Sequence, residues 1–259
     1  MPEGHTIHRA AQDQRPMLVD KYVSATSPQG RFADGAAAIN GHLCTRIEAL
    51  GKHLLYHFED AGSLHIHLGL AGRIHRNPQP ADPPRDVVRI RLETATHVVD
   101  ITGPAICEIL EQDALAQFRA TYGPDLLADP EDPDRAIARI RKSRSPIATL
   151  LMNQKVIAGI GNIYRSEILW LQGLNPYTRG TDLSDAQLRA LWGRMRDLMQ
   201  IGVRYNSIIT NGDVPKAGQD VSERVNIYGE DTCPTCQERI KVAKIAARTL
   251  YYCRRCQTE

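Results

Sequence analysis

Two Cys-x-x-Cys pairs near the end of the chain constrain its fold more than any other feature. Cys233 and Cys236 form the first pair, and about 16 residues separate it from Cys253 and Cys256. Each pair places two thiols in a tight turn, and the intervening segment suits a short β-hairpin that brings all four to one ion. A redox Cys-x-x-Cys needs no second pair, and cytosolic proteins rarely keep disulfides. The spacing therefore predicts one structural zinc ion without an open coordination position.

The length and composition of the chain predict a globular protein with two domains. It has 259 residues, of which 42% are hydrophobic, an ordinary share for a protein with buried cores. No apolar run approaches the ~18 residues that a membrane span requires. The first residues also lack the basic and apolar regions of a signal peptide. We therefore expect a cytoplasmic monomer without a membrane partner.

Hydrophobic periodicity is helical at the start of the chain, strand-like in the middle of its first half and helical again in its second half. Residues 5–18 have helical spacing, and from 22 to 109 short apolar runs predict the strands of an antiparallel sandwich or barrel. Residues 206–223 show little periodicity and are predicted to form a mobile loop. After a linker at 129–134, helices are predicted over 146–152, 163–172 and 184–203, the last with Ser184 as its N-cap.

The first residues combine a potential nucleophile with an acid. Removal of Met1 would leave Pro2 as a secondary amine, and α-amino groups titrate near pH ~8, so a usable fraction is neutral. Such an amine forms Schiff bases with carbonyl carbons, and the Glu3 carboxylate could supply or accept the protons. Taken alone, however, Pro2 is a common second residue and Glu3 an ordinary first-turn helix acid.

A glycine-containing loop at 157–164 lies between two predicted helices. Its glycines, Gly159 and Gly161, would allow backbone N–H groups to approach an anion such as a phosphate at a helix N-terminus. A turn that packs helices together is the usual explanation of this pattern. Basic residues cluster around 135–144 and 239–255, where they suit phosphate contacts or a solvated helix face.

Six short segments form a set of motifs that is specific in its order: 1–4, 51–53, 67–72, 122–125, 157–167 and 248–257. Together they resemble the formamidopyrimidine-DNA glycosylase and endonuclease VIII family, and the resemblance runs from end to end. It implies a base-excision-repair enzyme that binds damaged double-stranded DNA, removes oxidised bases and cuts the strand by β and δ elimination.

The same resemblance implies an α+β fold with three parts. An N-terminal antiparallel β-sandwich with an N-terminal helix occupies 1–118. A helical domain with a helix-two-turns-helix motif follows over 125–220. A zinc β-hairpin finger completes the chain over 221–259.

The resemblance also assigns roles to single residues. Pro2 attacks C1′ of an extruded damaged nucleotide and forms an imine, while Glu3 protonates the sugar ring oxygen. Lys52 contacts DNA beside the lesion, and Asn162 binds phosphate. Arg248 holds the backbone around the extruded nucleotide, where its fork geometry suits a phosphate. Without the family, Lys52 and Arg248 are ordinary surface charges.

Leu70 has two interpretations. By position it matches an apolar wedge that fills the gap left by the extruded nucleotide. It also continues the alternation of Leu64, Ile66 and Leu68, which indicates a plain core residue.

A protein that keeps the fold and zinc but only binds nucleic acid is the alternative to the enzyme.

Two positions depart from the common family pattern. Many members have a second carboxylate where this chain has Thr6, and often an arginine where it has Thr102. Lesion choice is therefore open, and opposite-strand contacts are weaker or come from elsewhere. The Gly-His-Thr start and segment 27–32 favour the endonuclease VIII-like branch. The short loop before Tyr228 favours oxidised pyrimidines or abasic sites as substrates.

Three remaining groups of residues suggest packing and not chemistry. His65 and His67 alternate on one strand face, but without a nearby third ligand a polar sheet face explains them better than a metal site. Free cysteine is among the most buried residue types. We therefore expect buried, unreactive thiols at Cys44 and Cys107, and core packing for Trp170 and Trp192.

Overall fold

The computed structural model describes residues 2–212 and 224–258. The chain divides into two compact units, Met1–Pro2 with Thr6–Thr121, and Glu3–His5 with Tyr122–Glu259. None of the described helices is long and apolar enough to span a membrane. The α+β fold class is confirmed, while the finer limits of the three predicted parts remain a prediction.

The first unit is built on eight antiparallel strands. They run in the order β5-β7-β6-β1-β2-β3-β4-β8, with bounds β1 Lys21–Thr26, β2 His42–Leu50, β3 His53–Phe58, β4 Ser63–His67, β5 Arg73–Pro78, β6 Val88–Glu93, β7 His97–Thr102 and β8 Ile106–Leu110. The first half of β1 pairs with β2 and its second half with β6. Two groups of strands therefore share β1.

One apolar core joins these two groups of strands. Alternate residues of each strand face it, because successive side chains of a strand point to opposite faces. It contains Leu54 and Tyr56 of β3 as well as Ile90 of β6 and Ile101 of β7. Helix α1, Gly4–Leu18, adds Ile7 to the same core. Two further helices complete this part of the chain, α2 Ala33–Ile39 and α3 Gln112–Thr121.

The second unit is mainly helical. Its helices are α4 Pro133–Arg141, α5 Ile147–Met152, α6 Asn162–Leu171 and α7 Asp185–Tyr205, with a 3-10 turn at Gly180–Asp182. Ser184 caps α7 as predicted, because its hydroxyl accepts from the Gln187 N–H while the Gln187 side chain accepts from the Ser184 N–H. This reciprocal pair satisfies two amides that a helix start otherwise leaves open.

A two-stranded hairpin, β9 Lys241–Ile245 and β10 Arg248–Tyr252, follows in the same unit. Its two turn residues, Ala246 and Ala247, have φ of 52° and 57°. Positive φ at both central residues is the mark of the tight turn whose twist matches a hairpin. Arg248 is therefore the first residue after the turn.

The predicted mobile loop at 206–223 lies only partly within the described residues. Asn206 ends α7 in the left-handed conformation, and the next four residues, 207–210, are buried. Ile209 forms an isolated bridge with Arg224. Residues 213–223 lie outside the described residues.

Candidate active site and metal centre

The carboxylate of Glu3 is clamped by the start of helix α6. Its Oε2 accepts a 2.8 Å hydrogen bond from the Gly161 N–H, and its Oε1 accepts one of 2.9 Å from the Ile163 N–H. The Glu3 side chain is fully buried. Backbone amides and the helix dipole both favour an anion at this position. The predicted anion-binding loop is therefore present, but the anion that it binds is the protein's own carboxylate.

Two glycines allow the chain start to approach this loop. A Cβ at Gly161 would lie 2.2 Å from Cδ of Glu3, and one at Gly4 would lie 2.8 Å from Cα of Gly159. The Gly4 N–H also donates to the Gly159 carbonyl at 2.9 Å. Pro2, which is partly buried, is covalently attached to this fixed segment. The position of Glu3 is thus set by the backbone hydrogen bond of the next residue, Gly4, and by the start of α6.

Asn162, the first residue of α6, is buried and bonded to the hairpin. Its Nδ2 donates to the Thr249 carbonyl at 2.7 Å and to the Tyr228 hydroxyl at 3.3 Å. Its Oδ1 accepts from the Arg165 guanidinium. The predicted phosphate contact of Asn162 stays a prediction. In the structure its amide group connects α6 with β10.

Arg165 is a functional candidate that the sequence analysis missed. It is fully buried, and its guanidinium donates to the carbonyls of Thr249 at 3.1 Å and Ile245 at 3.3 Å. Burial lowers the pKa of Arg165 to about 10. The two carbonyls flank the hairpin turn, so Arg165 holds the base of the turn that presents Arg248. Its sequence signal was weak, because the polar residues Asn162, Ser166 and Glu167 lie in the same helix.

Arg248 itself is exposed at the start of β10. Among residues 2–212 and 224–258, no acceptor holds its guanidinium. Its pairing partner across the hairpin is Ile245. The predicted role in phosphate binding requires such an accessible guanidinium, and it remains a prediction.

Glu167, in the middle of α6, is a second buried carboxylate. Its Oε2 accepts from the Thr210 hydroxyl at 2.6 Å and from the N–H and side-chain amide of Asn226. Its Oε1 accepts from the N–H groups of Ile227 and Tyr228, each at 2.8 Å. Five donors thus converge on one side chain. They fix the residues on either side of 213–223.

Lys52 lies in the turn between β2 and β3 and not on a strand. It follows Gly51, whose φ of 58° suits glycine at a turn. Lys52 is partly buried, and its charge contributes to lowering the pKa of both His53 and His67. The structure therefore places the predicted lysine beside a group of histidines.

That group contains a third histidine, which corrects the expectation for the strand face. His53 on β3 is paired with His67 on β4, and its Nδ1 is 2.8 Å from Nε2 of His65. Nδ1 of His65 is 2.9 Å from a carboxylate oxygen of Glu108. Burial, with smaller contributions from His67, His65 and Lys52, lowers the pKa of His53 to about 3. The face is a buried, hydrogen-bonded histidine chain covered by Phe118.

Leu70 is exposed to 63% and lies in the turn between β4 and β5. The interpretation of Leu70 as a core residue is therefore wrong. The alternation stops because Gly69 has φ of 64° and the Gly72 N–H donates to the Leu68 carbonyl at 2.9 Å. The turn presents an apolar side chain to solvent, as a wedge requires, and the wedge role remains a prediction.

The four predicted cysteine ligands come together as one cluster. Their sulfur atoms all lie within 4.8 Å of one another, with 3.7 Å between Cys233 and Cys256 and 3.4 Å between Cys236 and Cys253. A disulfide would need about 2.05 Å, whereas tetrahedral ligands about 2.3 Å from one ion lie roughly 3.8 Å apart. Over the described part of the chain, only these cysteines bring three or more such ligand atoms together. The cluster could hold a metal ion.

The surroundings of the cluster also fit a metal-bound thiolate. Each Cys-x-x-Cys pair forms the same kind of turn, in which the residue after the second cysteine donates its N–H to the carbonyl of the first cysteine. Gln237 donates to Cys233 in this way, and Gln257 donates to Cys253. Nε1 of Trp170 is buried without a nitrogen or oxygen acceptor and lies against the Cys233 sulfur. An indole N–H is a donor only, and a thiolate is the acceptor that it lacks. Trp170 therefore packs against the cysteine cluster.

The two remaining cysteines have no such environment. Burial raises the pKa of Cys44 and of Cys107 to about 12. Since the thiolate is the reactive form, neither is a nucleophile at neutral pH. Cys44 is fully buried and Cys107 partly so.

Comparisons with known proteins cover the whole chain. A family model described as the formamidopyrimidine-DNA glycosylase N-terminal domain matches residues 1–104, and one described as the formamidopyrimidine-DNA glycosylase H2TH domain matches residues 122–213. "Endonuclease 8 1" of Mycobacterium tuberculosis is 37% identical, with 100% of both chains covered. "Endonuclease 8" of Salmonella typhi is 30% identical and covers 99% of this chain and 100% of its own. "Formamidopyrimidine-DNA glycosylase" of Chloroflexus aggregans is also 30% identical, with 99% and 98% covered.

Solved structures with a similar fold include Lactococcus lactis Fpg in complex with abasic-site DNA. It has a TM-score of 0.78 and 20% identity, with 100% of both chains covered. A complex of the same protein with a THF-DNA and an inhibitor has a TM-score of 0.80 and 22% identity, again with 100% coverage. At these identities the likeness concerns the fold.

Proposed function

This chain belongs to the formamidopyrimidine-DNA glycosylase and endonuclease VIII family of base-excision-repair enzymes, and we propose which of its residues carry out the family's two reactions. It is a DNA glycosylase with abasic-site lyase activity. Its substrate is damaged double-stranded DNA. The clamped Glu3 carboxylate, next to Pro2 in the chain, is the observation that carries the assignment of residues.

Pro2 is the proposed nucleophile. After removal of Met1, its nitrogen lone pair forms a bond to C1′ of an extruded nucleotide, and the C1′–N bond to the damaged base breaks with its electron pair on the leaving base. The attacking nitrogen gives up its proton to Glu3, and protonation of the ring oxygen then opens the sugar ring to give an iminium between Pro2 and C1′. Loss of a proton from C2′ expels the 3′ phosphate by β elimination, a second elimination expels the 5′ phosphate, and water releases Pro2.

Glu3 is the proposed proton carrier for these steps. Ring opening requires a proton at the sugar ring oxygen, and Glu3 is the residue bonded to the nucleophile. Its carboxylate is held at two points by α6, and these hydrogen bonds restrain its rotamer. A fixed acid–base group contributes through its geometry before its proton affinity matters.

Four more residues are proposed to bind the DNA. Lys52, Asn162 and Arg248 contact phosphates, and Leu70 occupies the space left by the extruded nucleotide. The exposed guanidinium of Arg248 and the exposed Leu70 side chain support these roles. Asn162 would have to exchange a bond with the hairpin for one with DNA.

We assign zinc to the cluster of Cys233, Cys236, Cys253 and Cys256. Four thiolates at tetrahedral spacing match a closed structural zinc site, so the ion would fix the fold of the hairpin without joining the reaction.

Oxidised pyrimidines and abasic sites are the proposed lesions. The protein would act wherever chromosomal DNA is present, and the cytoplasmic location remains a prediction.

Borohydride trapping tests the proposed nucleophile. Incubation with abasic-site duplex and borohydride should reduce the iminium and leave a covalent protein–DNA complex, with the attached peptide being the one that starts at Pro2. Mass spectrometry of the free protein should show that Met1 is absent. A trap on Lys52, or strand cleavage by a chain whose amino terminus is blocked, would refute the role of Pro2.

Variants separate the enzyme from a protein that only binds DNA. Pro2→Gly should lose most strand cleavage but keep its affinity for abasic-site DNA, because Pro2 makes no predicted phosphate contact. Pro16→Ala, in the same helix-bearing segment, is the matched control and should cut normally. A wild-type protein that binds damaged duplex without trapping or cutting would support the non-catalytic alternative.

A further inference from the structure

Arg73 and Thr102 are directly opposite each other in the antiparallel pair of β5 and β7. The next pair along the strands is Ile74 with Ile101, and Ile101 is buried in the core. Opposite residues share a face, and successive residues alternate between faces. Arg73 and Thr102 therefore both point away from the core, at the same place on the sheet.

The turns beside these two residues are also in contact. A Cβ at Gly69 would lie 2.8 Å from Cβ of Ala105, and one at Gly103 would lie 3.5 Å from the Ala71 carbonyl oxygen. The turn that carries Leu70 thus packs against the turn that follows Thr102. A long side chain from either position would reach the same space beside Leu70.

The Arg73 guanidinium is already directed at the Leu70 turn. Its NH1 donates to the Gly72 carbonyl at 2.9 Å and lies 3.4 Å from the Leu70 carbonyl oxygen. Arg73 is exposed, and no carboxylate within the described ranges forms an ion pair with it. The positively charged guanidinium of Arg73, with unused N–H donors, therefore lies next to the exposed apolar side chain of Leu70.

We propose that Arg73 contacts the base opposite the lesion and does the work of the arginine that this chain lacks at position 102. This inference rests on the proposed function and concerns the same DNA site. When an apolar side chain fills the gap of an extruded nucleotide, the base on the other strand loses its pairing partner. A guanidinium next to that side chain is positioned to replace the lost hydrogen bonds.

The chemistry of the guanidinium sets which opposite bases should be favoured. Arginine has five donors and no acceptor, so it binds best where a base edge offers two neighbouring acceptors. Guanine offers O6 and N7, and cytosine offers O2 and N3, whereas adenine and thymine have no such pair. Arg73 should therefore favour guanine or cytosine opposite the lesion.

The test measures binding to duplexes with an uncleavable tetrahydrofuran abasic analogue opposite each of the four bases, at one fixed salt concentration. The wild type should bind the guanine or cytosine duplex about tenfold more tightly than the adenine and thymine duplexes, within the range of a bidentate contact. Arg73→Thr should reduce this ratio to about twofold or less. Because each ratio comes from one protein sample, a loss of folded protein cancels.

Three further variants make the result specific. Arg73→Thr combined with Thr102→Arg should restore the ratio, and Arg73→Lys should keep overall affinity but not the ratio, because an ammonium cannot form the fork. Arg85→Thr, at an exposed arginine in the same unit, should leave the ratio unchanged. An unchanged ratio in Arg73→Thr would overturn the inference. Failure of borohydride trapping would instead refute the proposed chemistry, and the binding ratios would still decide the role of Arg73.

Discussion

The amide nitrogen of Gly161 donates a 2.8 Å hydrogen bond to the carboxylate of Glu3, a residue 158 positions earlier in the chain. The position of the proposed proton carrier is therefore determined by a helix in the second half of the sequence. Ile163 adds a second bond to the same carboxylate. A change at 161 should therefore act on catalysis through Glu3.

Gly161→Ala should reduce strand cleavage by about 100-fold, as expected when an acid–base group is displaced. Gly161 has φ of −121°, which alanine tolerates, so the effect comes only from the new Cβ, 2.2 Å from Cδ of Glu3. Single-turnover cleavage of an abasic-site duplex is the measurement. Gly193→Ala is the control, because a Cβ there meets nothing within 4 Å. Equal rates for the two variants would contradict the clamp.

Glu167→Gln should destabilise the protein by about 2–4 kcal/mol. The new NH2 group must face donors whichever way the amide is turned, because Oε1 accepts from two N–H groups and Oε2 from three donors. Denaturant unfolding at neutral pH measures the change. The exposed Glu230→Gln should stay within about 0.5 kcal/mol of the wild type. A Glu167 variant as stable as that control would show that the network carries little stability.

Trp170→Phe should release zinc at least about tenfold faster to a chromogenic chelator, in line with the loss of a partner of a ligand. The indole N–H of Trp170 has the Cys233 sulfur as its neighbour. Trp192→Phe is the matched control, because its N–H donates to Glu131 at 2.8 Å instead. The idea fails if the two variants lose zinc at the same rate, or if the wild type contains no zinc.

The histidine chain predicts a loss of stability on mild acidification. The pKa of His53 falls from its ordinary value of 6.5 to about 3 in the folded protein. Below pH 6.5 the unfolded chain therefore binds a proton that the folded chain rejects, so stability is full above pH 6.5 and declines as the pH falls towards 3. Between pH 7 and pH 5 the decline should be about 2 kcal/mol for this group.

Urea midpoints at pH 7.0 and pH 5.0 measure this effect. His53→Gln should show a smaller difference between the two midpoints than the wild type. His75→Gln, at an exposed histidine on β5, should show the wild-type difference. If the urea midpoint of the wild type is the same at both pH values, His53 accepts its proton in the folded protein without loss of stability.

Sequence patterns predicted the features that depend on neighbours in the chain. Ser184 caps a helix three residues before its partner, and the Cys-x-x-Cys pairs each need only one turn. The strands were predicted because alternation is also local.

Features that depend on distant contacts were missed. Nothing near Arg165 in the sequence indicates that two hairpin carbonyls 80 and 84 residues later would accept from it. The third histidine was missed because His53 and His65 meet across two strands. Helix α3 has no buried residue, so it lacked the apolar stripe by which helices are found. Leu70 was ambiguous because only the backbone of its turn decides whether the alternation continues.

The clamp on Glu3 also sets a time order for the protein as it is made. A ribosome releases the chain from its amino end, so Glu3 leaves the tunnel long before Gly161 and Ile163 have been synthesised. During that interval the nascent polypeptide has its proposed nucleophile but lacks the two amides that hold the Glu3 carboxylate. If Pro2 and Glu3 have the proposed roles, a half-made copy therefore lacks its fixed proton carrier, and the competence to cut arrives only with the later half of translation.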